Sequence, residues 1–440
     1  ARYVGRSVGE GRRGLVSTWY RWAWRTEVVA AVLGAAVIIG IGQFRGELET
    51  AWAWAAAGAA IAILHTVPAN LLGGLQRWSD VSRVSLVVGV LTTVSLVVVL
   101  LLGGGIVEMF LVPAVVGILS VVWTRSLADR EVAAIAEPPA PIPARDRREA
   151  RGYITLMTLQ VVLTFVVWQR SEFWFLDRYS TDQEIAVYSI AFSAVMSLGR
   201  IPFALANVAF PAFATLDGAG EVRRLRTAVN RILRVQLLAA LPMTAFFVAA
   251  GPSLLSLVYG SEYDATGSVL QVLMVGFPLL PLGLSGGALL MGLGRLKTLV
   301  VVYAAGAVVN LGLDAVLIAD HAAVGAAWAN TIAQSVIGVA LAVVVHRMVG
   351  GLEVGARHLA IGAVVNGAAL GLGLVAAHLA GGAAPALAAS AVVVTAVAWL
   401  GGGLARVVPG EDVDWLATAL GERLGPRADR AVRLALAPFD

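Results

Sequence analysis

The chain has no cysteine, and that absence removes disulfide frameworks, thiolate metal sites and cysteine nucleophiles together. Charge is nearly as scarce. Only 14% of the 440 residues are Asp, Glu, Lys or Arg, where soluble domains carry about a quarter. What is abundant is apolar: 59% of the residues are hydrophobic and the mean hydropathy is +0.82. A chain so poor in charge cannot clothe a soluble surface, so the composition defines a polytopic membrane protein. The net charge of +4 carries no argument for a nucleic-acid partner; in a membrane protein the informative quantity is where the basic residues sit.

Apolar runs of about 20 residues, enough to cross ~30 Å of hydrocarbon as a helix, occur twelve times. They fall near 27–44, 51–72, 83–102, 105–124, 153–176, 185–213, 230–250, 268–292, 297–318, 322–345, 358–379 and 384–405. None needs a strand, so the fold class expected is an all-α polytopic bundle. The loops set its orientation. Most of the 32 basic residues lie in alternate segments, among them Arg12, Arg13, Arg147, Arg148, Arg223, Arg224, Arg226 and Lys297. The opposite loops hold only Arg45 and Arg178, with Glu47, Glu49, Asp182, Glu262 and Asp264. By the positive-inside rule this is a multi-pass protein of the cell membrane with both visible ends in the cytoplasm.

The proline- and charge-rich stretch 128–151 is the long cytoplasmic linker and divides the chain. The expected organisation is an N-terminal bundle over 1–124, a linker over 125–152, a second bundle over 153–345, two further helices over 346–405 and a tail over 406–440. The tail spaces apolar residues (Trp415, Leu416, Leu420, Leu424, Val432, Leu434, Leu436) among polar ones. It reads equally as an amphipathic helix on the inner interface or as a solvated segment.

Internal repetition adds a further expectation. LGGLQRW from Leu72 and MGLGRL from Met291 each close a span and open a short basic turn. Aligning Arg77 with Arg295 lays spans two to four over spans eight to ten, and RWAWRTEVVAAVLGAAVIIG (21–40) then matches NRILRVQLLAALPMTAFFVAAG (230–251). The two bundles are thus expected to be related by a pseudo-twofold repeat around a central cavity. The second bundle opens with the pair of spans 153–213, which has no counterpart ahead of residue 1. Two helices, about 50–65 residues, are therefore expected to precede this sequence, giving fourteen spans grouped six, six and two.

That pair also carries fixed charge at membrane depth, where ionisable groups are costly and mark pathways or partners. Arg170 lies roughly 10 Å below the outer surface and Arg200 roughly 20 Å below it, counted at the helical rise. Arg170 reads either as a cavity cation or as a side chain snorkelling beside Trp168 and Trp174. Glu172, two positions on, does not share its face; Asp177 does, but near water. Arg200 sits mid-span before Pro202, with Asn207 two turns along the same face, and reads as a cavity residue or as one half of an interhelical ion pair. Asp314 shares a face with Asn310 and matches Arg170 in depth, so an Arg170–Asp314 pair would be a helix lock or a coupling site. Gln160, Gln271, Asn330, Gln334 and Asn366 read as interhelical hydrogen-bonding residues, and His65 as a satisfied core histidine.

The chain resembles the polysaccharide (O-antigen, Wzx-like) flippases of the multidrug/oligosaccharidyl-lipid/polysaccharide exporter superfamily. The resemblance rests on VYSIAFSAVMSLGRIPFALANVAFPAFA (187–214), PSLLSLVYGSEYDATGSVLQVL (252–273), LLMGLGRLKTLVVVYAAGAVVNLGLDAVLI (289–318) and HAAVGAAWANTIAQ (321–334). It extends diffusely over nearly the whole chain. It implies a two-lobed transporter that is not an enzyme, needs no cofactor and works by alternating access as a monomer. Its partners would be membrane lipid and a polyprenyl-phosphate- or pyrophosphate-linked oligosaccharide moved to the outer leaflet, with a proton or sodium ion as the coupling species. Cavity arginines would hold the anionic head group, a role that falls on Arg170 and Arg200, with Asn207 beside them, because Arg grips phosphate bidentately. Glu172, Asn310 and Asp314 are the candidates for coupling or helix locking. Two alternatives stand beside this reading. A proton- or sodium-coupled multidrug antiporter would want deep carboxylates in the first bundle, where Glu108 lies too near the outer end. A glycan polymerase or ligase would need a large outer loop, and the longest here runs only over 251–267.

Overall fold

The computed structural model describes residues 2–45, 49–168 and 171–415, and among them every regular element is helical. Ten of these helices are long and apolar enough to cross a membrane. The two spans that this number omits have physical explanations. Residues 153–176 are divided between two helices, and the apolar part of the first ends at Trp168. Residues 297–318 and 322–345 fall in one continuous helical stretch, Leu296–Val349, that reverses at Ala322.

The chain divides into two compact units. Unit 1 contains residues 1–151 and 208–221. It is built from α1 (Arg2–Gly9), α2 (Gly14–Arg45), α3 (Glu49–Gly74), α4 (Trp78–Leu101) and α5 (Ile106–Ala133). Small residues set its seams: a side chain on Gly58 would meet Ala114, and one on Gly117 would meet Ile61, so α3 and α5 approach closely. The proline-rich stretch is not a free tether. Glu137 accepts a hydrogen bond from the Gly14 backbone N–H at 2.7 Å, Thr18 donates to the Ala140 carbonyl at 2.8 Å, and Ile142 is buried with Leu15 and Trp19. Glu137 thereby satisfies an otherwise orphaned donor at the α2 N-terminus.

Unit 2 contains residues 152–207 and 222–440. Its elements are the apolar part of α6 (Ala144–Trp168), α7 (Ser171–Tyr179), most of α8 (Asp182–Gly218), α9 (Val222–Tyr259), α10 (Ala265–Gly276), α11 (Leu280–Gly292), α12 (Leu296–Val349), α13 (Ala356–Ala380) and α14 (Ala383–Leu404). Its core joins Leu176 of α7, Tyr188 of α8, Met274 of α10 and Ile318 of α12, and α13 and α14 pack against α9. Large apolar side chains such as Val32 and Val90 in unit 1 and Val301 and Val364 in unit 2 are exposed. Only a hydrocarbon solvent makes such surfaces stable.

The sequence repeat has a backbone counterpart. After α3, Gln76 (φ 60°) turns the chain and the Arg77 N–H donates to the Leu72 carbonyl at 2.8 Å. After α11, Gly294 (φ 71°) turns it and the Arg295 N–H donates to Leu290 at 2.7 Å. Both are helix-ending turns with a left-handed residue at the same place. Of the tail, 410–415 is helical and the remainder, 416–440, lies outside the described residues.

Candidate functional site

Among the described residues, a dense buried polar cluster gathers on α12 and α7. Asn310 and Asp314 are one turn apart on the first half of α12, Asn330 and Gln334 one turn apart on its second half, and Ser171 and Glu172 open α7. A straight helix would separate Asn310 from Asn330 by about 30 Å. Both amides nevertheless reach Glu172 Oε1, at 3.4 and 2.8 Å. Ala322 makes this geometry possible, with φ 45° and ψ −125° inside α12. The second half begins with the Ala323 N–H donating to Glu184 Oε2 at 3.1 Å, an anionic cap on a new helix N-terminus.

The cluster is short of donors. Glu172 and Asp314 have no exposed surface, and Asn310 and Asn330 are nearly as buried. The Asn310 amide nitrogen lies 3.1 Å from Ser171 Oγ, 3.4 Å from Glu172 Oε1 and 3.1 Å from Asp314 Oδ2. It has two hydrogens to share among three acceptors. Glu172 Oε2 and Asp314 Oδ1 are buried with no hydrogen-bond donor among the described residues. The Tyr188 hydroxyl in the adjoining core is likewise unpartnered. Gln334 Nε2 donates to Asn330 Oδ1 at 3.1 Å, and Asn330 and Gln334 line a void of about 30 Å³, the room of roughly one water. A line of polar atoms therefore runs from that void through Asn330 and Glu172 to Asp314.

Hard cations such as sodium take oxygen ligands, and two carboxylates with unspent lone pairs are such ligands. The same atoms would take a proton equally well. The unspent oxygens of Glu172 and Asp314 are the acceptors that such a cation, or a proton, would need, and they lie where the two halves of α12 meet α7.

The remaining expected site residues are placed as follows. Arg170, and with it the expected Arg170–Asp314 pair, lies outside the described residues. Arg200 is exposed on α8 and forms no ion pair among the described residues, so the interhelical ion-pair reading receives no partner here. Asn207 is exposed on the same helix, and Asp177 is exposed on α7. Gln271 donates to the Val248 carbonyl of α9 at 2.9 Å, an interhelical bond as expected, whereas Asn366 donates to Gly362 within its own helix. His65 differs from expectation. Its Nε2 is buried without a hydrogen-bond partner among the described residues, at the wall of a pocket of about 530 Å³ lined by α3, α4 and α5, where most of the lining side chains are apolar. The sequence reading placed no weight on Tyr188 or Glu184. The signal for Glu184 was the polar Asp320–His321 pair between two apolar runs, a break after which a new helix N-terminus needs a cap.

Packed transmembrane helices, one of them broken beside buried carboxylates, are an arrangement that membrane transporters use. Comparison with known proteins agrees. The MatE family model matches residues 157–316, a stretch that contains Glu172, Arg200 and Asp314. A multidrug resistance MATE family transporter of the MOP superfamily, solved in an outward-facing conformation, superposes with a TM-score of 0.65 at 17% identity, covering 80% of this chain and 82% of its own. The Vibrio cholerae MATE transporter VcmN in its bent form gives 0.59 at 15% identity, covering 79% and 83%. The fold is that of the MATE transporters. A putative O-antigen transporter of Shigella flexneri is 26% identical over 145 residues, 33% of this chain, so the chain matches about a third (34%) of that relative's length.

Proposed function

We propose that the protein moves a lipid-linked oligosaccharide from the cytoplasmic to the outer leaflet, with Arg200 among the groups that hold its phosphate or pyrophosphate. The observation that carries this reading is Arg200 itself: a guanidinium in the middle of a membrane helix, exposed and without an ion-pair partner among the described residues. A charge so placed is costly unless a ligand or water meets it. An anionic head group is the ligand that an unspent Arg fork fits. Asn207 further along α8 would add a hydrogen bond, and Arg170 a second cation. The similarity to the Shigella flexneri relative supports the same substrate class. In this reading Glu172 and Asp314 take the coupling proton or sodium ion, and binding there biases the packing of the two halves of α12 on α7.

A second reading, a cation-coupled multidrug antiporter, draws on the buried Glu172–Asp314 centre and on the multidrug transporter among the structural neighbours. The experiment that separates the two is translocation of a fluorescent polyprenyl-pyrophosphate oligosaccharide in proteoliposomes, beside efflux of a cationic dye. Oligosaccharide flipping that is lost in Arg200→Ala supports the flippase. Dye efflux driven by a proton or sodium gradient, with no flipping, replaces it by the antiporter.

A further inference from the structure

The first turns of α9 read VRRLRTAVNRILR, with arginines crowded at the positive end of a 38-residue helix and no acidic residue in its first turn. Cations are disfavoured at that end of a helix dipole and anions favoured. The conflict is concentrated in one place. Arg223, Arg226, Arg231 and Arg234 line a single cleft of about 350 Å³ in unit 2, facing Glu353 of the loop after α12 and Glu411 of the segment after α14.

The carboxylates present do not exhaust these cations. Arg226 pairs with Glu353, whose side chain is 74% exposed and therefore loosely held. Arg234 grips the fully buried Asp412 with Nε and Nη2, and Glu411 with Nη2 at 2.6 Å. Arg231 lies 3.2 Å from Asp412 Oδ1, yet its buried Nε–H makes no hydrogen bond. The Arg223 guanidinium makes no hydrogen bond or ion pair among the described residues; only its backbone carbonyl is engaged, by the Thr227 hydroxyl. Asp412 is thus a buried carboxylate held by two of the arginines behind the cleft wall, and the cleft keeps unspent guanidinium donors near a helix N-terminus.

We propose that this cleft is a binding site for a phosphate-bearing anion. Several arginines converging from one helix face can be engaged at once by the multiple oxygens of a phosphate or diphosphate, whereas a single carboxylate satisfies one fork. Helix N-termini are suited to the same ligand. The cleft also sits where α9 passes from its arginine-rich turns into its apolar run, the level at which head groups lie, on the face expected in the cytoplasm. The ligand is therefore either a free phosphate compound or the head group of an anionic lipid. The site does not depend on the transport reading, because it uses neither Arg200 nor the α7–α12 cluster.

The test uses the whole chain in nanodiscs of zwitterionic lipid, titrated calorimetrically with inorganic pyrophosphate at low salt, and in a second arm micelles with phosphatidylglycerol followed by native mass spectrometry. Saturable binding in either arm is expected, identifying the free or the lipid source. Arg223→Gln with Arg226→Gln is expected to weaken it at least tenfold, and Glu411→Gln to strengthen it. Arg223→Gln alone disturbs no described contact, so it reports on binding in a protein that folds normally, with a smaller loss expected. Absence of saturable binding in both arms, or binding unchanged in the double variant, overturns the proposal.

Discussion

Asn330 donates to Glu172 across 2.8 Å from the far half of a broken helix, so the carboxylate ties together two segments that a straight helix would hold about 30 Å apart. Removing the amide leaves a buried carboxylate with one donor fewer. Asn330→Ala is expected to cost about 1–3 kcal/mol, read as a lowered unfolding midpoint in detergent. The double variant Asn330→Ala with Glu172→Leu should recover part of that loss, because no buried charge is left unpaired. Strictly additive losses would mean that the bond does not hold the two segments together.

If sodium is the cation of the α7–α12 cluster, it stabilises the folded protein by mass action, by about 2.7 kcal/mol at a hundredfold excess over Kd. The expected result is a rise in Tm with sodium chloride over choline chloride at equal ionic strength, abolished by Asp314→Asn. A rise that survives in Asp314→Asn places the ion elsewhere, and no rise in the unaltered protein leaves the proton as the coupling species.

Arg200→Ala separates function from folding. The side chain is exposed and makes no ion pair among the described residues, so its loss should change stability by no more than about 0.5 kcal/mol while transport falls to background. A variant that unfolds, or that transports normally, removes Arg200 from the pathway.

The apolar helices were legible in the sequence because hydropathy and length carry the information that the bilayer demands. Asn310 and Asp314 were legible as a pair because a four-residue spacing places them on one face of any helix. Their meeting with Glu172 and Asn330 was not. It depends on a reversal at Ala322, a residue whose type gives no hint of a left-handed backbone. The clasp of Arg234 on Asp412 escaped for a related reason: it joins the start of α9 to the segment after α14, and no local pattern encodes a contact between positions so far apart in sequence.

Gln76 and Gly294 hold corresponding left-handed positions in the two repeated turns, at φ 60° and 71°. Glycine takes that conformation freely and glutamine does not. Gln76→Gly is expected to stabilise unit 1 by about 0.5–1 kcal/mol, offset in part by the entropy of the freer chain. Gly294→Gln should cost unit 2 about 1 kcal/mol. Unfolding midpoints of the two variants should move in opposite directions, and a shift of the same sign in both would contradict the equivalence of the turns.

Ala322 carries a larger strain for a clearer purpose. At φ 45° and ψ −125° it lies in a region that costs a residue with a side chain about 1–3 kcal/mol. That cost is borne because the reversal brings Asn330 to Glu172 and presents the Ala323 N–H to Glu184. Glycine relieves the strain and keeps both bonds, so Ala322→Gly should raise the Tm. Glu184→Gln should lower stability by about 0.5–2 kcal/mol through the weakened cap. The two effects should not simply add, because the easier turn also eases the loss of its cap. An Ala322→Gly variant that melts earlier than the parent would show that α12 runs on through residue 322, and the carboxylate cluster would then have to be assembled some other way.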